Sequence, residues 1–214
     1  MKLSYVGAIA ALSAAALLTA CGGKAQYSVQ GPVINLTTPG LTLSNGGETI
    51  SVPAGATSYT FSRQIDYGTS YEVKIVKDPE HMTCGFNGAN PTGSAGHTVS
   101  ISVPIVCSRN TYLVGGRFTG LPVLKPADGT VAAVPRTLTL LNGTAGGTVV
   151  LTSPADNTGA ADFAFGIRVA DGQSYGVTID PTTVPADRIC TVKNGTGFVT
   201  TSDITNIAVD CVPK

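Results

Sequence analysis

Apolar and polar residues alternate along most of this chain with a period of two, in short runs broken by Gly, Asn and Pro. In "HTVSISVPIVC" the residues Val99, Ile101, Val103, Ile105 and Cys107 fall on one side of an extended strand; in "NIAVDC" Ile207, Val209 and Cys211 do the same. "LTLSNGG" from Leu41 and "LTLLNGT" from Leu138 alternate likewise. They end in Asn45-Gly46 and Asn142-Gly143, dipeptides suited to the positive φ angles of tight hairpins. An aromatic pair spaced for one strand face comes next, Tyr59 and Phe61 in the first half, Phe163 and Phe165 in the second. The pattern predicts an all-β protein of short strands joined by turns.

The same pattern is written twice. "GTSYEVKI" at 68–75 returns as "GQSYGVTI" at 172–179, and both halves open on Tyr-x-Val-x-Gly, at Tyr27 to Gly31 and Tyr112 to Gly116. Module one is expected over 27–108 and module two over 112–214, joined by a linker at 109–111. "SRNT" spans at most about 14 Å, so the modules are expected end to end with limited freedom. Module two is longer by insertions at "LPVLKPADGTVAAVP" and "SPADNTGA", placed where loops tolerate added length. Strands in module one are expected around Tyr27, Leu41, Thr49, Tyr59, Tyr71, Thr83 and Val99. About seven antiparallel strands suit an Ig-like β-sandwich. Gly68 and Gly172 then make turns, and Tyr71 and Tyr175 open strands whose inward residues are Val73 and Ile75, or Val177 and Ile179. A tyrosine there buries its ring and returns its hydroxyl to nearby backbone, like the tyrosine corner of Ig-like domains.

The first twenty residues read as a leader: Lys2, then an uncharged apolar run from Val6 to Leu18, too short for a membrane span. Leu18-Thr19-Ala20-Cys21 resembles the lipobox of bacterial lipoproteins. That resemblance implies that 1–20 is a lipoprotein signal peptide and that Cys21 is the lipidated first residue of the mature chain. It also implies export with a membrane partner reached through the lipid; Gly22, where an Asp would favour the inner membrane, implies the outer membrane. Residues 21–26 read as the anchored cysteine and a short flexible tether.

With Cys21 assigned to lipid, four cysteines remain, and an exported chain keeps disulfides. Three connectivities are open in principle. The repetition selects Cys84 with Cys107 and Cys190 with Cys211, each pair closing a hairpin within its module, "CGFNGANPTG" and "CTVKNGTG". A metal site on His81 and Cys84 is the rival reading; module two has no counterpart of that histidine. Gly-x-x-Tyr-x-Val, then Cys-x-Val-x-Asn-Gly-x-Gly, then a strand ending in Cys, resembles tandem Ig-like repeats in bacterial surface and secreted lipoproteins. The resemblance covers nearly all of the mature chain and implies a fold and its disulfide, without an activity.

Composition narrows the function. With 13 basic and 13 acidic residues and only 12% charged, the chain lacks the cationic excess that nucleic-acid binding needs. The two histidines, His81 and His97, both fall in module one, and no nucleophile elbow or phosphate-binding loop is present. No catalytic residue, cofactor or metal is therefore expected. Asp128, Asp156, Asp162 and Asp171 would bind calcium if gathered at one end, but beside Gly and Asn they read as turn formers. The expectation is a non-enzymatic, lipid-anchored spacer or protein-interaction unit whose partner is an envelope protein or surface glycan. The second reading is a sugar, peptide or calcium binder using the inserted loops near Lys125, Asp128 and Asp156.

Overall fold

A computed structural model describes residues 25–88, 90–98, 100–125 and 134–214. Cys21, Val99 and Asp128 lie outside the described residues. The first half contains β1 (Gln26–Tyr27), β2 (Val29–Ile34), β3 (Thr42–Asn45), β4 (Glu48–Ser51), β5 (Ser58–Thr60), β6 (Ile65–Asp66), β7 (Ser70–Lys77), β8 (Met82–Phe86), β9 (Thr92–Ser94), β10 (Ile101–Ser102) and β11 (Ile105–Arg109). The second contains β12 (Thr111–Tyr112), β13 (Val114–Thr119), β14 (Thr137–Asn142), β15 (Thr148–Thr152), β16 (Ala161–Ala164), β17 (Val169–Ala170), β18 (Ser174–Ile179), β19 (Arg188–Lys193), β20 (Thr196–Phe198) and β21 (Ile204–Pro213). A single 3-10 turn, Pro181–Thr183, is the one helical element among the described residues.

The protein is all-β, and its sheets repeat strand for strand. In module one β4-β3-β7-β9 forms one sheet; β2, flanked by β5 and by β10 and β11, forms the other, with β8 outside β11. In module two the orders are β15-β14-β18-β20 and β16-β13-β21-β19. Inward residues of both sheets meet in each core. Val29, Val33, Leu43, Val73 and Ile105 belong to one cluster, Phe118, Leu140, Val177, Ile207 and Val209 to a second. Phe61 and Phe165 are 1% exposed, and burying such a ring contributes about 1.5–3 kcal/mol. Each packs edge-on against its partner, Tyr59 at 5.8 Å and Phe163 at 6.3 Å between ring centres.

In each module the second strand runs parallel to the closing strand, β2 with β10 and β11, β13 with β21. The seven strands expected from the sequence were all antiparallel, and β9 and β20 are additional to them. The parallel pair explains the glycine of Tyr-x-Val-x-Gly. Gly31 and Gly116 face the last strand so closely that a Cβ would collide with the carbonyl of Val103 or Ile207. Across the same glycines sit Tyr59 and Phe163, their antiparallel partners on β5 and β16.

Two local expectations change. Asn45 is a strand residue paired with Glu48, and the two-residue turn is Gly46-Gly47, both at positive φ. Asn45 is buried, and its side-chain carbonyl accepts from Glu72 N–H at 3.0 Å; Asn142 accepts from Gly176 N–H in the same way. The asparagines are there to satisfy a neighbouring strand. The cysteine segments are not hairpins either: β19 pairs with β21, while β20 crosses to β18 in the other sheet, and β8 and β9 divide likewise. The disulfides Cys84–Cys107 and Cys190–Cys211 join directly opposed residues within one sheet, with Cα atoms 4.0 Å apart.

Gly116→Ala is expected to destabilise module two by about 1–3 kcal/mol or more, because the added methyl meets backbone that cannot swing away. Hydrogen exchange read by mass spectrometry should show protection lost in 112–214 and kept in 27–108.

Candidate functional site

The residues with most chemistry outside the cores meet where the modules join. β11 runs through Arg109, and Asn110 is bonded to both sides. Its N–H donates to the His81 carbonyl at 3.0 Å, and its carbonyl accepts from Asp171 N–H at 2.9 Å. The Thr83 hydroxyl donates to its side-chain oxygen at 2.8 Å. Arg109 reaches across to donate from Nη2 to the Asp171 carbonyl at 2.9 Å. His81 Nδ1 lies 3.1 Å from Asp171 Oδ1, and the His81 ring packs on Gly172, where a Cβ would stand 3.3 Å from Cε1.

Local structure aims these groups. His81 adopts φ +61° just before β8, after Pro79-Glu80, which turns its carbonyl toward the linker. Gly172, at φ +80°, sits in the turn before β18, as the sequence suggests for both copies of the repeated phrase. Asp171 is 3% exposed, a buried carboxylate that module one covers. A buried carboxylate without a donor is costly; the His81 imidazole at 3.1 Å is its nearer partner, and Thr201 N–H donates to the same oxygen at 3.5 Å.

The acidic residues singled out in the sequence disperse. Asp156 accepts from both the hydroxyl and the N–H of Thr158, closing its own turn. Asp162 pairs with Arg117 at 2.9 Å across β16 and β13, and Asp171 serves the junction. Lys125 is exposed beside residues 126–133, which lie outside the described residues. The two insertions of module two adjoin, since Leu121 N–H donates to the Gly159 carbonyl and Val123 N–H to Asn157 Oδ1. Cys84 is in a disulfide, and no cluster of three metal-ligating side chains occurs among the described residues. His97 contacts Ser94 at 3.1 Å, apart from that junction. Tyr175 Oη donates to the Asn194 carbonyl at 3.4 Å and its ring covers Gly197 on β20; Tyr71 covers Gly93 on β9. These tyrosines fill glycine gaps in the neighbouring strand. A second buried hydroxyl, Tyr59, donates to the Val103 carbonyl at 2.8 Å, and burial pushes its pKa up.

The shifted carboxyls all have structural partners. Hydrogen bonds from Ser62 and Arg63 hold Glu48 below its usual range, and Thr158 does so for Asp156. Thr182 lowers Asp180, the cap of the 3-10 turn, while Arg136 lowers Asp187 and Lys193 with Thr119 lowers Asp210.

No protein-family model matches the chain, and no curated protein matches it. Among solved structures, the chain is similar to a double-mutant form of the shaft pilin SpaA from Lactobacillus rhamnosus GG. The identity is 10% over 89% of this chain and 98% of that one, with a TM-score of 0.23.

A pH dependence follows from the carboxyls. Their folded pKa values lie below the unfolded ones, so the stability they contribute is present above the ordinary values, 4.5 for Glu and 3.8 for Asp, and lost as pH falls through the folded values. Melting temperatures should be flat down to that range and then drop. Glu48→Gln should lower the neutral-pH value slightly and make the acid limb shallower.

Proposed function

We propose that the protein is a non-enzymatic, lipid-anchored component of the cell envelope, in which two β-modules locked end to end act as a spacer or protein-interaction unit. The junction is the observation that carries this reading. Asn110, Arg109, His81 and Asp171 bond across it through backbone and side chains together, which leaves the linker little rotational freedom. A rigid pair keeps distance; a flexible pair does not. The internal disulfides suit an oxidising compartment, and the lipobox resemblance at Cys21 supplies the anchor. The outer membrane is the membrane that Gly22 favours, and an envelope protein or surface glycan is the partner class.

Spin labels on Ser51 and Thr152, one in each module, should give a single narrow distance distribution. His81→Ala leaves the Asp171 carboxylate with only the longer bond from Thr201 N–H and should cost about 1–3 kcal/mol. Combined with Arg109→Ala it should broaden the distribution while each module's exchange protection is kept. A broad distribution in the unsubstituted protein would remove the spacer reading. Palmitate labelling that persists in Cys21→Ser would remove the anchor. A crosslinking pull-down from intact cells, with Cys21→Ser as control, should recover one envelope partner if the modules serve as an interaction unit.

A further inference from the structure

The pole of module one that faces away from the junction repeats the backbone of the receiving surface of module two. At the junction Asp171 N–H donates to the Asn110 carbonyl and Gly172 N–H to the Val199 carbonyl. At the outer pole Tyr67 N–H donates to the Ala25 carbonyl at 3.1 Å and Gly68 N–H to the Ala95 carbonyl at 2.9 Å. Gly68 and Gly172 share a φ near +80°. The backbone is the same, and Tyr67 stands where Asp171 stands. Asp171 is 3% exposed beneath module one, whereas Tyr67 is 70% exposed. Its ring is seated, lying against Gly96 so closely that a Cβ there would strike the ring carbons. On the same pole Gln26, Arg63, Gln64 and Asp66 line a shallow polar depression of ≈ 350 Å³.

The chain that enters this pole identifies what covers it. Ala25, bonded to Tyr67, lies four residues after Cys21. Four residues reach at most about 14 Å. On the lipid-anchored reading proposed above, on which this inference rests, the pole therefore lies within that distance of the bilayer surface. A second copy of the chain fits the pole less well. The far pole of module two has the backbone of module one's junction pole, with Lys214 N–H donating to the Asp187 carbonyl as Asn110 N–H donates to that of His81. Yet Pro213 stands in place of Arg109 and Asp187 in place of His81, its carboxylate held by Arg136. Neither cationic nor imidazole donor of the junction is available there.

We propose that the Tyr67 pole is a membrane-contact surface: the phenol ring rests at the level of the lipid headgroups, with exposed Arg63 and Gln64 beside it, and orients the paired modules away from the bilayer. A ring with an apolar body and a polar tip suits that boundary, and a guanidinium suits lipid phosphate.

The chain has no tryptophan, so Tyr67→Trp places a single reporter at this pole and Ile189→Trp a control on the far one. The acylated full chain is reconstituted into phosphatidylethanolamine–phosphatidylglycerol vesicles, with and without brominated acyl chains, and flotation is scored first. The expected result is flotation, with a blue shift and loss of the Tyr67→Trp reporter's emission to brominated lipid, and unchanged emission from the Ile189→Trp control. In the unsubstituted chain, peptides covering 62–70 should exchange more slowly on vesicles than in Cys21→Ser protein. Flotation with reporter emission and 62–70 exchange matching the Cys21→Ser form overturns the contact while leaving the anchor standing. Failure to float overturns both. A concentration-dependent blue shift of the Tyr67→Trp reporter without lipid assigns the pole to a second copy and overturns the membrane assignment.

Discussion

The parallel pairing of β2 and β13 with the closing strands of their modules governs the architecture. Had a closing strand run antiparallel to that partner, the chain would leave at the pole where it entered. Because β11 runs with β2 and β21 with β13, entry and exit lie at opposite poles. Parallel neighbours cannot be joined by a tight turn, so the rest of each module is the connection between them. The close approach requires Gly31 and Gly116, whose absent side chains leave room for the carbonyls of Val103 and Ile207. Tandem order, a linker of a few residues and a junction at one pole all follow from that one pairing.

The junction shows how two copies of one fold become specific to each other. Both modules present the same backbone groups at their poles: the carbonyl before β8 or β19 accepts the N–H just past the last strand. Side chains decide what each pole does. Module one ends in His81 and Arg109, which suit the buried Asp171; module two ends in Asp187 and Pro213, with Asp187 already engaged by Arg136. A lone buried carboxylate at position 171 makes a wrong docking costly as well as the right one favourable. Duplication supplied the scaffold; divergence at a few polar residues limits the pairing.

Much of this fold is legible in the sequence because burial imposes period two. Ile207, Val209 and Cys211 point into the core as alternation requires, and the duplicated phrases mark equivalent strands. What escapes is whatever depends on partners far along the chain. β9, "TGS", has no apolar alternation, since its Gly93 is covered by Tyr71 from β7. Asn45 reads as a turn former by composition and is a buried acceptor by position. Parallel and antiparallel neighbours leave the same alternation, so the direction of the last strand is not written locally. His81 invites a metal reading next to Cys84, and only the fold brings Asp171 to it, 90 positions later. A histidine present in one copy and absent from the other was the available signal: residues that break a repeat mark where the copies do different work.

On the spacer reading proposed above, the strand pairing also bears on resistance to tension. Tension between the two poles pulls β2 and β11 from opposite ends. Parallel strands loaded that way resist in shear, with their hydrogen bonds strained together, whereas a hairpin pulled from one end parts one bond at a time. The disulfides lie beside this path. Cys107 and Cys211 sit on the last strands and tie them to β8 and β19, so each closing strand is covalently held to its neighbour. Covalent links elsewhere in the sandwich would stabilise the fold equally well against an unfolded chain but would not hold the exit strand. On the spacer reading, their placement holds each closing strand under tension applied along the chain.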